Sequence, residues 1–142
     1  MYKRQQLELA RRSGKEVYSE FGFSLRFIKK PIIAVCGSYG RSTVAHMIGF
    51  ILKQENKATF VGGNSDKPLI EYCLFAQKDE VDYVIVECSA LQLHSIDSFH
   101  PVLVVFTSIS DRYHEGRFHS VGEYIETKLK IIKALSLSLI HI

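Results

Sequence analysis

The chain has 142 residues, 46% of them hydrophobic, and its mean hydropathy is +0.04. This balance excludes a disordered or collagen-like chain. The sequence contains no apolar run of about 20 residues and no apolar signal core, so it shows neither a membrane span nor a secretory leader. Its 18 basic and 15 acidic residues, a formal net charge of +3, are spread along the chain, which argues against a nucleic-acid partner. We therefore expect a soluble, cytoplasmic, monomeric protein that binds neither nucleic acid nor membrane.

The first 30 residues differ in pattern from those that follow. They predict a charged helix at 5–12 that stops at Gly14, an extended stretch at 17–19, and a helix near 23–28. We predict that residues 1–30 are the end of a preceding domain, with its linker.

From residue 31 onward, short apolar runs alternate with amphipathic helices. Such runs are typical of parallel strands covered on both faces, and they lie at 32–36, 59–61, 83–86 and 102–106. Helices are predicted at 44–52, from Pro68 through Ala76, and at 121–135. The alternation predicts an α/β fold, with a P-loop-type, mostly parallel sheet flanked by helices, in a central domain of residues 31–136.

Two further features concern the ends of this pattern and its cysteines. Leu137-Ser-Leu-Ile-His-Ile142 matches the translation of a transposase end sequence used in library preparation, so we predict that 137–142 is a non-native tail. Cys36, Cys73 and Cys88 are widely spaced, lie in or beside apolar segments and form no C-x-x-C pair, which predicts reduced core residues.

The first predicted strand leads into Gly37-Ser-Tyr-Gly-Arg-Ser-Thr43, a glycine loop that opens a helix. Its two glycines allow a tight turn and a close backbone approach, and a helix N-terminus is suited to phosphate. The Ser42 hydroxyl is placed to reach a nucleotide-bound magnesium ion. The general P-loop pattern has glycine and lysine where this chain has Val35 and Arg41, so an ordinary strand-to-helix connection is the alternative.

Two charged residues interrupt apolar segments. Glu87 ends a strand, and a carboxylate at the C-terminal end of a parallel strand points into the crevice where ligands bind, although many strand-end glutamates are simply solvated. Lys128 lies on one helical stripe with Tyr124 and Ile132, where an apolar residue is expected. Its ammonium group either has a function there or extends to water from the edge of the stripe.

Taken in order, these segments resemble the central ATPase domain of the Mur ligases, from about Glu8 to Ala134. The glycine loop is similar to the family's Gly-Thr-x-Gly-Lys-[Ser/Thr]-Thr, which also lacks the first P-loop glycine. Gly62-Gly-Asn64, which alone is plain turn chemistry, resembles the family's Gly-Gly-Asn-x-Gly-x-Pro-Leu. The segment from Glu87 to Leu93 resembles Glu-x-Ser-x-x-Gln-Leu, typical of the members that add D-glutamate to UDP-N-acetylmuramoyl-L-alanine.

The resemblance implies a role for each matching residue. The ATP-binding residues would be Gly37, Ser38, Tyr39, Gly40, Arg41, Ser42 and Thr43. The magnesium ligands would be Ser42, Glu87 and Lys128, the lysine as a carbamate within a Tyr-x-x-x-Lys match that begins at Tyr124. Arg41 and Lys128 would be catalytic, and the substrate would contact Asn64, Ser89 and Gln92.

Two arginines depart from the family pattern. Arg41 replaces the loop lysine, and Arg112 replaces a metal-binding histidine in a segment where Asp111 does fit. His114 lies two residues further on, and it is either a substitute ligand in a rearranged loop or a solvated histidine. The departures leave two interpretations open: a lineage variant in which Arg41 still binds phosphate, and a degenerate copy that binds without turnover.

By resemblance, the chain is a fragment of a ligase that uses ATP and Mg²⁺ to form an amide through an acyl phosphate, in the peptidoglycan synthesis that underlies cell wall, cell shape and cell division. The family needs an N-terminal uridine-binding domain and a C-terminal domain, and neither is complete here, so we expect the isolated fragment to be inactive. The alternatives are a non-catalytic nucleotide-binding module derived from a Mur ligase and another kind of P-loop enzyme.

Overall fold

The computed structural model describes residues 2–64, 67–75, 80–96, 99–110, 118–133 and 138–141. In chain order the elements are α1 (Tyr2–Arg12), α2 (Glu20–Leu25), β1 (Ile32–Cys36), α3 (Arg41–Gln54), β2 (Thr59–Gly63), α4 (Leu69–Phe75), β3 (Tyr83–Glu87), α5 (Ala90–His94), β4 (Leu103–Phe106), α6 (Val121–Lys133) and β5 (Ser138–His141). Within these ranges, no helix combines the length and the apolar character needed to cross a bilayer.

The strands form one parallel sheet in the order β2-β3-β1-β4-β5. Glu87 at the end of β3 lies opposite Val35 of β1 and Gly63 of β2, and Cys36 of β1 lies opposite Phe106 of β4. The C-terminal ends of these strands therefore meet at one edge of the sheet, where open α/β sheets bind their ligands. The predicted fold class is confirmed.

Both faces of the sheet are covered, which explains the continuous apolar runs in the sequence. On one face, Ile33, Val35 and Ile85 are buried against Ala45 of α3. The core on the other face combines strand residues with residues of α2, α4, α5 and α6, namely Ala34, Cys36, Val84, Val86, Val104, Phe106, Phe21, Leu69, Tyr72, Leu93 and Ile131. Adjacent strand residues alternate between these two cores because successive side chains of a strand point to opposite faces.

The helix predicted near 23–28 begins earlier, at Glu20. The Ser19 hydroxyl accepts a hydrogen bond from the Gly22 amide at 3.1 Å and so caps the first turn of α2. Phe21 of this helix is buried and packs edge-on against Phe99, with ring centroids 5.8 Å apart. Helix α2 therefore shares the central core, while the domain boundary at residue 30 stays a prediction.

Two short elements were not expected from the sequence. Helix α5 has only five residues and begins with a capping box in which the Gln92 amide donates to the Ser89 hydroxyl at 3.2 Å and the Ser89 amide donates to the Gln92 side chain at 2.9 Å. Strand β5 pairs in parallel with β4 and lies within the stretch predicted to be a non-native tail. That the tail is non-native stays a prediction.

The three cysteines are free thiols, as predicted, with Cys36 and Cys88 buried and Cys73 half-buried. Burial raises the pKa of the Cys88 thiol well above its usual range, and the neighbouring Cys36 thiol and Glu87 carboxylate raise it further. The Cys88 thiol is therefore protonated at neutral pH and acts as a small apolar core residue.

Candidate functional site

The loop between β1 and α3 is a tight turn at the carboxyl edge of the sheet. Gly37 has φ +144° and Gly40 has φ +77°, a region that side chains rarely adopt. A Cβ atom on Gly37 would also collide with the Thr107 hydroxyl and lie 2.9 Å from the Ser108 amide nitrogen, whereas Gly40 faces open space. Gly37 is thus required by both backbone conformation and packing, and Gly40 by conformation alone.

The segment that follows β4 holds this loop in place. The Ser38 amide donates to the Ser108 carbonyl at 2.8 Å, and the Tyr39 amide donates to the Ser108 hydroxyl at 3.1 Å. In return, the Ser110 amide donates to the Ser38 hydroxyl at 3.0 Å, and the Thr107 hydroxyl donates to the Tyr39 carbonyl. The amides of Ser38 and Tyr39 therefore hold the loop to the segment after β4.

The start of α3 carries a further group of amides. The helix has 14 residues, and its N-cap, Gly40, makes no side-chain cap hydrogen bond. The first amides of an α-helix, here at Arg41, Ser42 and Thr43, have no acceptor within the helix, and the aligned peptide dipoles place a partial positive charge at this end. This end of the loop is the part that suits an anion.

Several predicted site residues surround the carboxylate of Glu87, a buried residue that is only 4% exposed. The Ser42 hydroxyl donates to Oε2 at 2.8 Å, Arg41 Nε donates to Oε1 at 3.2 Å, and Asn64 Nδ2 lies 3.5 Å from Oε1. Gly63 permits this approach, since a Cβ atom there would collide with the Glu87 carbonyl oxygen. The structure thus brings together Arg41, Ser42, Asn64 and Glu87.

The Arg41 guanidinium also lies across the loop itself. Its Nη1 donates to the Gly37 carbonyl and to the Ser38 carbonyl, the second at 3.2 Å. The side chains of Arg41 and Glu87 are 10% and 6% exposed. One guanidinium therefore joins two loop carbonyls to the buried carboxylate, a bridge that its planar fork of donors makes possible.

Lys128 of α6 is fully buried, so it does not extend to water as the alternative interpretation allowed. Its Nζ donates to the Gly37 carbonyl at 2.7 Å and lies 4.8 Å from the centroid of the Tyr124 ring. The Tyr124 hydroxyl and the Ser38 Oγ are 2.8 Å apart and share a buried hydrogen bond. Helix α6 thus holds the loop in place through one ammonium group and one hydroxyl group.

The other predicted site residues are placed as follows. Ser89 and Gln92 cap α5 immediately after Glu87, an arrangement that engages the Gln92 side chain with the backbone of Ser89. Asp111, Arg112 and His114 lie outside the described residues. Those three expectations therefore stay predictions.

The donor set at Glu87 fits a magnesium ion. The Glu87 Oε2 and the Ser42 Oγ are 2.8 Å apart. That distance is the length of a hydrogen bond, which a metal ion held by both oxygens would replace. Among the described residues, no group of three or more His, Cys, Asp or Glu side chains is placed to hold a metal. A magnesium ion held by one carboxylate and one hydroxyl depends on water and phosphate for its other ligands, which is its usual preference.

Sequence reasoning missed the residues that position the loop. These residues are Thr107, Ser108, Ser110 and Tyr124, whose contacts with the loop were not predicted. A signal was present, because a run of small hydroxyl residues directly after β4 falls at the same sheet edge as the loop.

The profile of the family described as "Mur ligase middle domain" matches residues 35–142, which is most of the chain. The chain belongs to this family. A UDP-N-acetylmuramoylalanine--D-glutamate ligase from Bdellovibrio bacteriovorus is 39% identical over 126 residues, covering 89% of this chain and 27% of that protein. The protein of the same name from Citrifermentans bemidjiense is 41% identical over 127 residues, with the same coverage. The chain thus spans about a quarter of the length of these curated relatives.

Solved structures of Mur ligases share the fold. A UDP-N-acetylmuramoyl-L-alanyl-D-glutamate--2,6-diaminopimelate ligase superposes with a TM-score of 0.61 at 18% identity, covering 79% of this chain and 26% of that one. The MurF ligase from Thermotoga maritima, in complex with ADP, superposes with a TM-score of 0.57 at 20% identity, covering 85% of this chain and 29% of that one. At these identities the likeness shows the fold alone.

Proposed function

We propose that this Mur ligase middle domain is part of an ATP-dependent ligase that joins D-glutamate to UDP-N-acetylmuramoyl-L-alanine in peptidoglycan precursor synthesis. The observation that carries the proposal is the meeting of Arg41, Ser42 and Glu87 at the positive end of α3. Relatives named as this ligase, 39% and 41% identical over 89% of the chain, support the choice of substrates. The parent protein is proposed to be a cytoplasmic monomer.

In the proposed complex, the β- and γ-phosphates of ATP lie over the start of α3. The first amides of the helix donate to phosphate oxygens, and the Arg41 guanidinium supplies a cation with two parallel donors. Glu87 and Ser42 would hold Mg²⁺, which neutralises phosphate charge when bound. Asn64, Ser89 and Gln92 would contact the muramoyl substrate. ADP in the MurF complex, a protein of the same fold, supports the nucleotide assignment.

Lys128 would take part as a carbamate that holds a second magnesium ion. Carbamylation joins Nζ to the carbon of carbon dioxide while the ammonium group releases two protons, which gives a carboxylate and leaves one N–H on Nζ. The Gly37 carbonyl, 2.7 Å from Nζ, accepts one hydrogen bond and can keep it after this change. The contact seen for the unmodified lysine is therefore compatible with the carbamate.

The proposed reaction has two steps. An oxygen of the L-alanine carboxylate attacks the γ-phosphorus, and ADP leaves. The D-glutamate nitrogen then attacks the acyl carbon, inorganic phosphate leaves, and the amine loses a proton. Catalysis of this kind depends on positioning and on electrostatic stabilisation, for which the loop amides, Arg41 and Lys128 are the groups on this chain.

A second candidate is a nucleotide-binding module without turnover. It is favoured by one specific observation, namely that the cation proposed to bind phosphate is paired with the carboxylate proposed to bind metal. This candidate predicts nucleotide binding that does not depend on Mg²⁺, and no turnover in the parent protein.

The deciding experiment is Glu87→Gln in a full-length parent protein, with ADP release measured in the presence of both substrates. Loss of the carboxylate removes a proposed metal ligand without changing side-chain size, so we expect the rate to fall by about 10²–10³-fold. Glu55→Gln, an exposed glutamate at the far end of α3, is the matched control and should leave the rate unchanged. An unaltered parent that binds nucleotide equally well with and without Mg²⁺, and releases no ADP, would support the non-catalytic module.

A further inference from the structure

We propose that Arg41 is an internal counter-ion that occupies the Glu87 carboxylate until a phosphate group draws it away, so that it controls when a divalent cation can bind. The inference rests on the proposed role of Glu87 as a metal ligand. It concerns Arg41 as a positioning residue, at a loop position where the family pattern has lysine.

Glu87 carries a buried carboxylate. The residue is 4% exposed, and a buried carboxylate is costly unless it is paired and hydrogen-bonded. Ser42 and Asn64 offer neutral donors at 2.8 and 3.5 Å, and Arg41 Nε offers a positive one at 3.2 Å. In the fold without ligands, Arg41 therefore supplies positive charge directly to this carboxylate.

Arg41 is held in this position by more than the carboxylate. Its Nη1 donates to the carbonyls of Gly37 and Ser38 while Nε donates to Glu87. A lysine ammonium is a compact charge with three donors on one atom and lacks the planar fork that spans these acceptors. The bridge is a consequence of arginine at this position, and lysine would make it incompletely.

Arg41 and a divalent cation would compete for the same Glu87 oxygens. A magnesium or manganese ion at Glu87 would need oxygen lone pairs that Arg41 and Ser42 engage, and its charge would repel the guanidinium. Arg41 must then leave Glu87, and a phosphate group at the start of α3 offers it a bidentate partner. Nucleotide phosphate and metal are therefore expected to bind together, with Arg41 as the coupling element.

The test is the affinity of the 142-residue chain for Mn²⁺ alone, measured by electron paramagnetic resonance of the free ion, with no nucleotide present. Arg41→Gln should bind Mn²⁺ at least tenfold more tightly than the unaltered chain, because the competing cation is gone. Arg41→Lys should bind about threefold more tightly, since it keeps the charge and loses the bridge. Arg26→Gln, which removes an exposed arginine stacked on Tyr18, is the control and should change nothing.

Glu87→Gln separates failure of this inference from failure of the proposed function. If neither Arg41 variant gains Mn²⁺ affinity and Glu87→Gln weakens binding, the counter-ion role is wrong and Glu87 remains a metal ligand. If Glu87→Gln leaves Mn²⁺ affinity unchanged alone and combined with Arg41→Gln, both ideas are wrong. Circular dichroism establishes folding of each variant, and if Arg41→Gln does not fold, the threefold gain expected of Arg41→Lys decides the question.

Discussion

The Gly37 carbonyl is contacted by two cations whose surroundings differ. Arg41 approaches from the α3 side, where its side chain is 10% exposed and pairs with Glu87. Lys128 approaches from the α6 side, where it is fully buried, donates at 2.7 Å and lies over the Tyr124 ring. We refer to these as the α3 side and the α6 side of the loop.

The difference indicates that the two sides of the loop have different roles. Groups on the α3 side face the position proposed for phosphate and metal, and their contacts can be exchanged for contacts to a ligand. On the α6 side, the Tyr124 hydroxyl and the hydrogen bond from Lys128 to the Gly37 carbonyl, which the proposed carbamate would keep, hold the loop whether or not a ligand is present. A stability loss caused by removing Arg41 should therefore shrink when Mg²⁺ is added without nucleotide, whereas a loss on the α6 side should persist.

The largest effect is expected where the two sides meet. Gly37→Ala forces a side chain onto a backbone with φ +144° and against the Thr107 hydroxyl, so it should disturb both sides at once. We expect the free energy of unfolding to fall by about 2–4 kcal/mol. Urea denaturation of the 142-residue chain measures this loss.

Gly122→Ala is the matched control for this change. Gly122 lies in α6, is exposed, and would bring its Cβ atom no closer than 3.7 Å to the Ser120 hydroxyl. Alanine is the better helix former, so the control should be neutral or should raise stability by up to about 1 kcal/mol. Equal losses at the two glycines would contradict a special role for Gly37.

Sequence patterns predicted the fold better than they predicted the contacts of the loop. Continuous apolar runs identified the first four strands because parallel strands covered on both faces contain little else. Helix α5 was missed because five residues hold too little periodicity, although Ser89 and Gln92 have the spacing of a capping box. At the site, it was the resemblance to the Mur ligases that predicted a meeting of Ser42 and Glu87.

The details of the loop depend on tertiary packing that no local pattern encodes. Lys128 has the same position on its helical stripe whether its side chain extends to water or turns inward. Only the position of the Gly37 carbonyl decides between these two orientations. The bridge made by Arg41 depends likewise on two loop carbonyls whose orientation follows from Gly37 and from Ser108. Spacing along the chain does not determine these distances.

Lys128→Met isolates the α6 side. Methionine fills nearly the same volume but donates no hydrogen bond, so the Gly37 carbonyl loses its contact to Nζ. We expect a loss of about 1–3 kcal/mol in the free energy of unfolding, again measured with urea. Lys130→Met, at an exposed lysine of the same helix, should change stability by less than about 0.5 kcal/mol.

The decisive comparison for this variant is made with ligand present. An excess of Mg²⁺ without nucleotide should bring the stability of Arg41→Gln closer to that of the unaltered chain, because this variant is expected to bind the metal more tightly, and should leave the gap of Lys128→Met open. Full recovery of the stability of Lys128→Met would mean that contacts on the α6 side are exchanged for ligand contacts as readily as those on the α3 side. The proposed difference in roles would then be wrong.

The smallest effect is expected from Tyr124→Phe, which separates the two contributions of this residue. The variant keeps the ring beneath the Lys128 ammonium and removes the hydroxyl that lies 2.8 Å from Ser38 Oγ. Because the Ser110 amide still donates to Ser38, the Ser38 hydroxyl keeps one partner, and we expect a loss of only about 1 kcal/mol. Tyr18→Phe, at an exposed tyrosine, serves as the control. A loss as large as that of Lys128→Met would assign the support of the loop to the hydroxyl, whereas no loss would leave the Lys128 contact with Gly37 as the dominant support from α6.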